Sequence, residues 1–228
     1  MINRRGSLLL LVIVMCQAAV AAPKQHLVFS HSGHPVTRDR LIPLLQEVYG
    51  NLGYQLTFQE ADGARALKLL NDGLVDGDVG RLAPLLSKLD NAAPVVLLDT
   101  VQVVLYCRPD LPCDSAVLLD PKQRVLVPTQ DATLQILTSD IQAKRYFNSD
   151  WHNIIVMFNA GKVDYLVWIE SDLLQPPKLE NANRSETNIG PFGLYHILHK
   201  KHQQLGSSIA VMLSKQLNQL GFNLEQAQ

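Results

Sequence analysis

From His26 onward the chain alternates short apolar runs with segments whose apolar residues recur at helical spacing. Leu27-Val28-Phe29 reads as a buried strand, and Ser30 to Pro35 as a polar turn. A helix is predicted from about Thr37 or Asp39, with Leu41, Leu44, Leu45, Val48, Tyr49 and Leu52 on one side and Gly53 as its stop. Pro43 inside it implies a late start or a kink. Tyr54 to Phe58 alternates as a half-exposed strand does. Ala64 to Asp72 is a second helix, ended by Gly73, and Leu74-Val75-Asp76 enters the next strand. Val95 to Leu98 and Val101 to Tyr106 read as strands, as does Val125 to Val127. A helix is predicted from about Ala132 to Phe147, with Thr129 or Asp131 able to cap it. Ser171 to Asn188, with Pro176-Pro177, reads as a polar surface connection. Gly193 to Lys200 is a strand. The last helix shows Leu205, Ile209, Met212, Leu213 and Leu220 on one face and stops at Gly221.

One frame occurs twice. Asn71-Asp72-Gly73-Leu74-Val75-Asp76-Gly77-Asp78-Val79 recurs as Asn159-Ala160-Gly161-Lys162-Val163-Asp164-Tyr165-Leu166-Val167, offset by 88 residues. Each copy follows an apolar helical stretch, Ala66 to Leu70 in one and Ile154 to Phe158 in the other. The physical reading is a helix, a glycine C-cap with left-handed backbone, and a buried strand, used in two similar α/β lobes.

The first residues carry a different pattern. Arg4 and Arg5 precede an unbroken apolar run from Leu8 to Met15, and Gln17-Ala18-Ala19-Val20-Ala21-Ala22 follows. A basic start, a short apolar core and small residues make a secretory signal peptide over residues 1–21, cleaved after Ala21. Eight apolar residues span about 12 Å as a helix, far short of the roughly 30 Å hydrocarbon core. The leader lacks the surroundings of a twin-arginine signal, and Val14-Met15 are not the small residues that precede a lipidated cysteine.

Composition narrows the function. Apolar residues are 47% and charged residues 18%, which excludes a disordered chain. Twenty Lys+Arg against 21 Asp+Glu exclude a nucleic-acid binder that relies on overall basicity. Loss of Arg4 and Arg5 with the leader takes the net charge from −1 to −3. It also removes Cys16. Cys107 and Cys113 remain, and a pair in an exported chain predicts a disulfide closing a short loop. Two cysteines do not make a zinc site.

Several stretches, taken in order, now carry a resemblance: the leader, Leu69 to Val79 continuing into Arg81, the crossing run Val101 to Tyr106, Gly161 to Asp164, and Gly193 to Leu205. Together they resemble the type 2 periplasmic solute-binding proteins, most closely the polar amino-acid-binding branch of the bacterial extracellular family 3 type. The resemblance covers about His26 to Gly221. It implies an α/β fold of two lobes with a ligand cleft between them. Lobe 1 is expected over residues 22–104 plus 192–228 and lobe 2 over 105–191. It further implies a periplasmic monomer that takes a small polar ligand, such as an amino acid, by hinge closure, uses no cofactor, and is read by a membrane permease or a sensor.

Ligand contacts are expected in turns after the carboxyl ends of strands. Ser30, His31 and Ser32 follow the first strand. Arg81 follows the first Asp-strand, and a guanidinium can fork onto a carboxylate. Thr129, Gln130 and Asp131 precede a helix whose backbone N–H groups could hold an anion. The family pattern has Gly-Thr there, where this chain has Pro128-Thr129. Glu170 stands near the place of a carboxylate for a ligand amine, six residues after Asp164 and one beyond the expected offset. Trp168 could stack on a ligand or pack in the core. Asp76 and Asp164 are expected to be structural. His196, His199 and His202 read as partly exposed residues on a basic edge rather than as metal ligands, since strand neighbours three apart face opposite sides. No G-x-S-x-G elbow occurs. The leading expectation is delivery of a solute to an ATP-binding-cassette importer. A sensory or accessory receptor on the same fold is the alternative, and a small lyase or dehydratase ranks behind both.

Overall fold

The computed structural model describes residues 25–61, 63–128, 132–174 and 176–220. The expected leader and the stop at Gly221 lie outside these residues. Among the described residues, nine strands run in chain order: β1 (Gln25–His31), β2 (Tyr54–Glu60), β3 (Gly77–Leu82), β4 (Ala92–Cys107), β5 (Arg124–Pro128), β6 (Lys144–Asn148), β7 (Tyr165–Glu170), β8 (Asn183–Glu186) and β9 (Phe192–His199). The α-helices are α1 (Ile42–Asn51), α2 (Gly63–Asn71), α3 (Ala116–Leu119), α4 (Ala132–Leu137), α5 (Trp151–Asn159) and α6 (Gly206–Gln219).

The strands form two similar sheets that share one member. The path is β2-β1-β3-β9-β4-β7-β5-β6, with β8 on the other edge of β4. β4 is the shared strand. Its residues Ala92 to Val101 pair antiparallel with β9, and Gln102 to Cys107 pair antiparallel with β7. In the first sheet β1 lies between parallel β2 and β3. In the second, β5 lies between parallel β6 and β7. Each half thus repeats one order, with α1 crossing β1 to β2 and α4 crossing β5 to β6.

The twice-used frame folds the same way both times. Gly73 and Gly161 adopt φ of +70° and +69°. Leu74 N donates to Leu69 O at 2.9 Å, and Lys162 N to Met157 O at 3.0 Å, so both helices end in one type of left-handed cap. Val75 and Val163 are buried behind it. The asparagines also match. Asn71 donates to Lys88 O and accepts from Asp90 N, and Asn159 donates to Lys178 O and accepts from Glu180 N. The aspartates do not match. Asp76 accepts from Val28 N, Lys201 Nζ and His202 Nε2, whereas Asp164 is largely exposed beside Arg108.

Three sequence expectations need correction. The helix predicted over residues 132–147 stops at Leu137. Buried Thr138 donates its hydroxyl to Leu134 O at 2.8 Å, and residues 144–148 pair with β5 instead. Val95 to Leu98 and Val101 to Tyr106 belong to one strand, β4, rather than two. The first helix starts at Thr37, as expected, but as a π-helical turn over Thr37–Leu41 that runs without a break into α1, with Pro43 at the second position of α1. The polar connection after β7 contains one short edge strand, β8.

Each half has its own core. α1 and α6 pack Leu45, Val48, Ile209 and Leu213 against Phe29 and Leu27. In the second half, Val103, Leu105, Val125 and Val127 form one cluster and Trp168, Ile154 and Phe158 another. Leu173, which follows β7, is buried in the core of the first half. The Cys107–Cys113 disulfide is formed, at the end of β4. Among the described residues, no helix is long and apolar enough to cross a membrane.

Candidate ligand cleft

A pocket of about 80 Å³ opens where the two sheets meet. Ser32, His34, Val36 and Thr37 line it from the turn after β1. Gly80, Arg81 and Leu82 line it from β3, Asp99 and Val101 from β4, and Leu194 from β9. Ile169, Ser171 and Leu174 close it from the end of β7 and the segment beyond. Its walls therefore come from both halves, at the carboxyl ends of β1, β3 and β7.

Arg81 reaches this wall through a bulge. Between Asp78 and Arg81 the β3–β9 register shifts, three steps on β3 matching two on β9. Residues three apart on a regular strand face opposite sides, and the extra residue brings these two together. Arg81 Nη2 donates to Asp78 Oδ2 at 2.6 Å, with the side chains 5% and 0% exposed. Ser30 Oγ donates to the same oxygen at 2.6 Å, and Gly80 N donates to Asp78 Oδ1 at 3.0 Å. Ser30 thus stands behind the ion pair and away from the pocket. Among the described residues, buried Arg81 Nε has no acceptor.

Asp99 is the acid of the wall. Oδ1 accepts from Thr100 N at 2.8 Å, and Oδ2 accepts from Leu173 N at 3.2 Å across the junction. Burial raises its pKa above the ordinary carboxylate range. Hydrogen bonds from Ser171, Leu173 and Thr100 oppose that rise, and the charge of Asp172 adds to it.

The other candidates fall elsewhere. His31 is buried, with Nδ1 2.8 Å from Ser32 O and its ring edge-on to Phe58, and it does not line the pocket. Glu170 accepts from Arg184 Nε and Nη2 at 2.9 and 2.7 Å and from the Tyr106 hydroxyl. Burial pushes its pKa up, but the bonds from Arg184 and Tyr106 outweigh burial and hold it below the ordinary value. Strand alternation explains its placement: Ile169 and Ser171 face the pocket, so Glu170 between them faces away. The extra residue in its offset from Asp164 flips it to the other side of β7. Trp168 is buried in the core of the second half, edge-on to Trp151 at 4.6 Å. Trp151 in turn meets the His34 ring from the first half at 5.5 Å. Thr129, Gln130 and Asp131 lie outside the described residues.

His196 corrects another expectation. It is fully buried rather than partly exposed. The Tyr49 hydroxyl and His196 Nε2 are 2.8 Å apart, Nδ1 is 3.3 Å from Val79 O, and the ring stacks on Phe29. Burial lowers its pKa to about 4. His199 and His202 are partly exposed, as expected. Among the described residues, no group of three or more His, Cys, Asp or Glu is arranged to hold a metal.

Sequence reasoning missed Asp99, Ser171, His34 and Thr37. Asp99 did leave a signal, as a lone acid inside the apolar stretch from Val95 to Tyr106.

No protein-family model and no curated protein matches the sequence. Solved structures do match. The GluR0 ligand-binding core in complex with L-glutamate has a TM-score of 0.67 at 13% identity, over 87% of this chain and 95% of that one. An ancestral cationic amino acid solute-binding protein gives 0.63 at 13%, over 86% and 92%. A truncated, arginine-bound ArgBP from T. maritima gives 0.59 at 15%, over 84% and 96%. With its twin sheets, shared strand and cleft at the junction, this chain has the fold of the type 2 periplasmic amino-acid-binding proteins.

Proposed function

We propose that the protein binds a small polar solute in the cleft and closes its halves around it, then delivers that solute to an ATP-binding-cassette importer. The observation that carries this reading is the pocket itself, whose walls join Arg81 and Asp99 from one half to Ile169 and Ser171 from the other. A solute that touches both walls favours the closed state by its differential contacts. Three similar structures are named for binding amino acids or amino acid solutes, which puts amino acids first among the solutes to try. On this reading the protein is a binder and not an enzyme.

The halves move as lobe 1, residues 22–104 plus 192–228, and lobe 2, residues 105–191. Thr129, Gln130 and Asp131 come after β5 in the sequence as Ser32 comes after β1, which supports them as contacts. The basic, apolar and small-residue pattern of residues 1–21 supports a cleaved leader and a periplasmic location.

Calorimetry and thermal shift against amino acids and small carboxylates test the binding step. Binding below millimolar concentration that weakens in Arg81→Ala is the expected result. No binding by any of them, with Arg81→Ala without effect, would remove the reading. Deletion of the gene should abolish uptake of the solute; unchanged uptake with altered signalling would point to a sensory receptor. Sequencing of the periplasmic form should begin at Ala22.

A further inference from the structure

The fixed charges of the cleft do not cancel, and the excess lies on the acid rather than on the arginine. Arg81 is neutralised in place, its Nη2 2.6 Å from the fully buried Asp78 carboxylate. Asp99 has no such partner. It is 5% exposed, and its hydrogen-bond donors, Thr100 N, Leu173 N and the Ser171 hydroxyl, are all neutral. Among the described residues no Lys or Arg forms an ion pair with it. The charged group that acts on it is Asp172, another acid. A carboxylate held away from water without a cation is costly, and a ligand cation that takes the place beside it removes that cost.

Geometry gives the second contact. Leu82 of β3 and Asp99 of β4 both pair with Leu194 of β9, so the backbones of Arg81 and Asp99 lie about 10 Å apart across one intervening strand, and both residues line the pocket. Arg81 Nε is buried and has no acceptor among the described residues. Between the two polar groups the wall is aliphatic, from Val36, Leu82, Val101, Leu174 and Leu194.

We infer that the cleft selects its solute by a cationic amine held against Asp99, while Arg81, its charge already matched by Asp78, gives the weaker contact to an acceptor elsewhere on the molecule. The inference rests on the reading of the cleft as a solute site. It makes the ligand class small aliphatic amines, amino acids included, in which the amine is obligatory and the carboxylate dispensable. Arg81, the residue the sequence offers as carboxylate anchor, becomes the minor partner.

Three probes of one size separate these groups: valine carries amine and carboxylate, isobutylamine the amine alone, isovalerate the carboxylate alone. Calorimetry should show valine and isobutylamine binding, with isovalerate at least about tenfold weaker than either. Asp99→Asn should weaken isobutylamine by about tenfold to a hundredfold and strengthen isovalerate, an inversion that a change in folding alone does not produce. The probe series on the unaltered protein decides the matter should the variant fail to fold. Isovalerate binding as tightly as isobutylamine, or Asp99→Asn without effect on isobutylamine, overturns the inference and leaves the solute site standing. If none of the three binds, the inference falls, and the wider screen of amino acids and small carboxylates decides the solute-site reading by itself.

Discussion

Replacing Asp78 by Asn isolates the buried ion pair behind the cleft. The substitution keeps the shape of the side chain and removes its charge. Arg81, only 5% exposed, then keeps its charge with no anion beside it. At an effective dielectric near 20, unit charges at the 2.6 Å contact attract by about 6 kcal/mol. The desolvation of both groups offsets much of that, and removal of one partner from such a pair costs about 3–5 kcal/mol. The amide also places an N–H₂ where Asp78 now accepts from Arg81, Ser30 and Gly80, so at least one of those donors loses its bond. For a chain of this length each kcal/mol moves Tm by about 2–4 °C, so a fall of about 6–20 °C is expected. Both tryptophans lie in the second half, at Trp151 and Trp168, so urea unfolding should be followed by far-ultraviolet circular dichroism as well as fluorescence. The double variant Asp78→Leu/Arg81→Met, with no charge left to strand, should recover most of the loss. A cost below about 1 kcal/mol for Asp78→Asn, or a double variant as unstable as the single one, would refute the argument.

Further outcomes follow from other residues. His196 is buried neutral, and its pKa is lowered from 6.5 to about 4. The unfolded chain then binds a proton that the folded chain does not, so stability should be complete above about pH 6.5 and fall by about 3 kcal/mol towards pH 4; urea midpoints across that window should flatten in His196→Gln, and an unchanged slope would count against it. Reduction of the Cys107–Cys113 bridge, with a sequence separation of 6, should cost about 2 kcal/mol, or about 4–8 °C in Tm, as read by differential scanning calorimetry with and without reductant. Leu173→Ala removes a buried side chain from the first core and should cost about 2–5 kcal/mol in chemical unfolding. Asn71→Ala should destabilise more than Asn159→Ala, each by about 1–2 kcal/mol, because the Asn71 side chain also accepts from Asn91 N at 3.4 Å.

Much of this architecture was legible because it repeats. A helix stop, a left-handed glycine and a buried valine have local signatures, and Asn71 to Val79 and Asn159 to Val167 spell them twice. What the sequence hid is what depends on partners far along the chain. Residues 138–147 carry enough apolar side chains to pass for helix, and only the β5 edge makes residues 144–148 a strand. The site shows the same division. Arg81 was visible as a cation after a strand, but its Asp78 partner faces it only because of a bulge that no periodicity reveals. Glu170 stood one residue from a cleft position, and a shift of one on a strand exchanges the cleft for the opposite side. Asp99 was overlooked because its neighbours read as core, and it becomes a wall of the pocket only where β4 passes from one sheet to the other.

That passage has a mechanical consequence. β4 changes partners between Val101 and Gln102 without leaving its extended form, and its 16 residues make a ribbon about 50 Å long. A ribbon hydrogen-bonded at both ends cannot fold at its middle as a loop can, but it can change its twist. Rotation of one half against the other then stores torsion in the few residues around Val101. On the proposed closure, the stiffness of that short stretch, more than the length of any linker, would set how widely the cleft opens and how promptly it springs back.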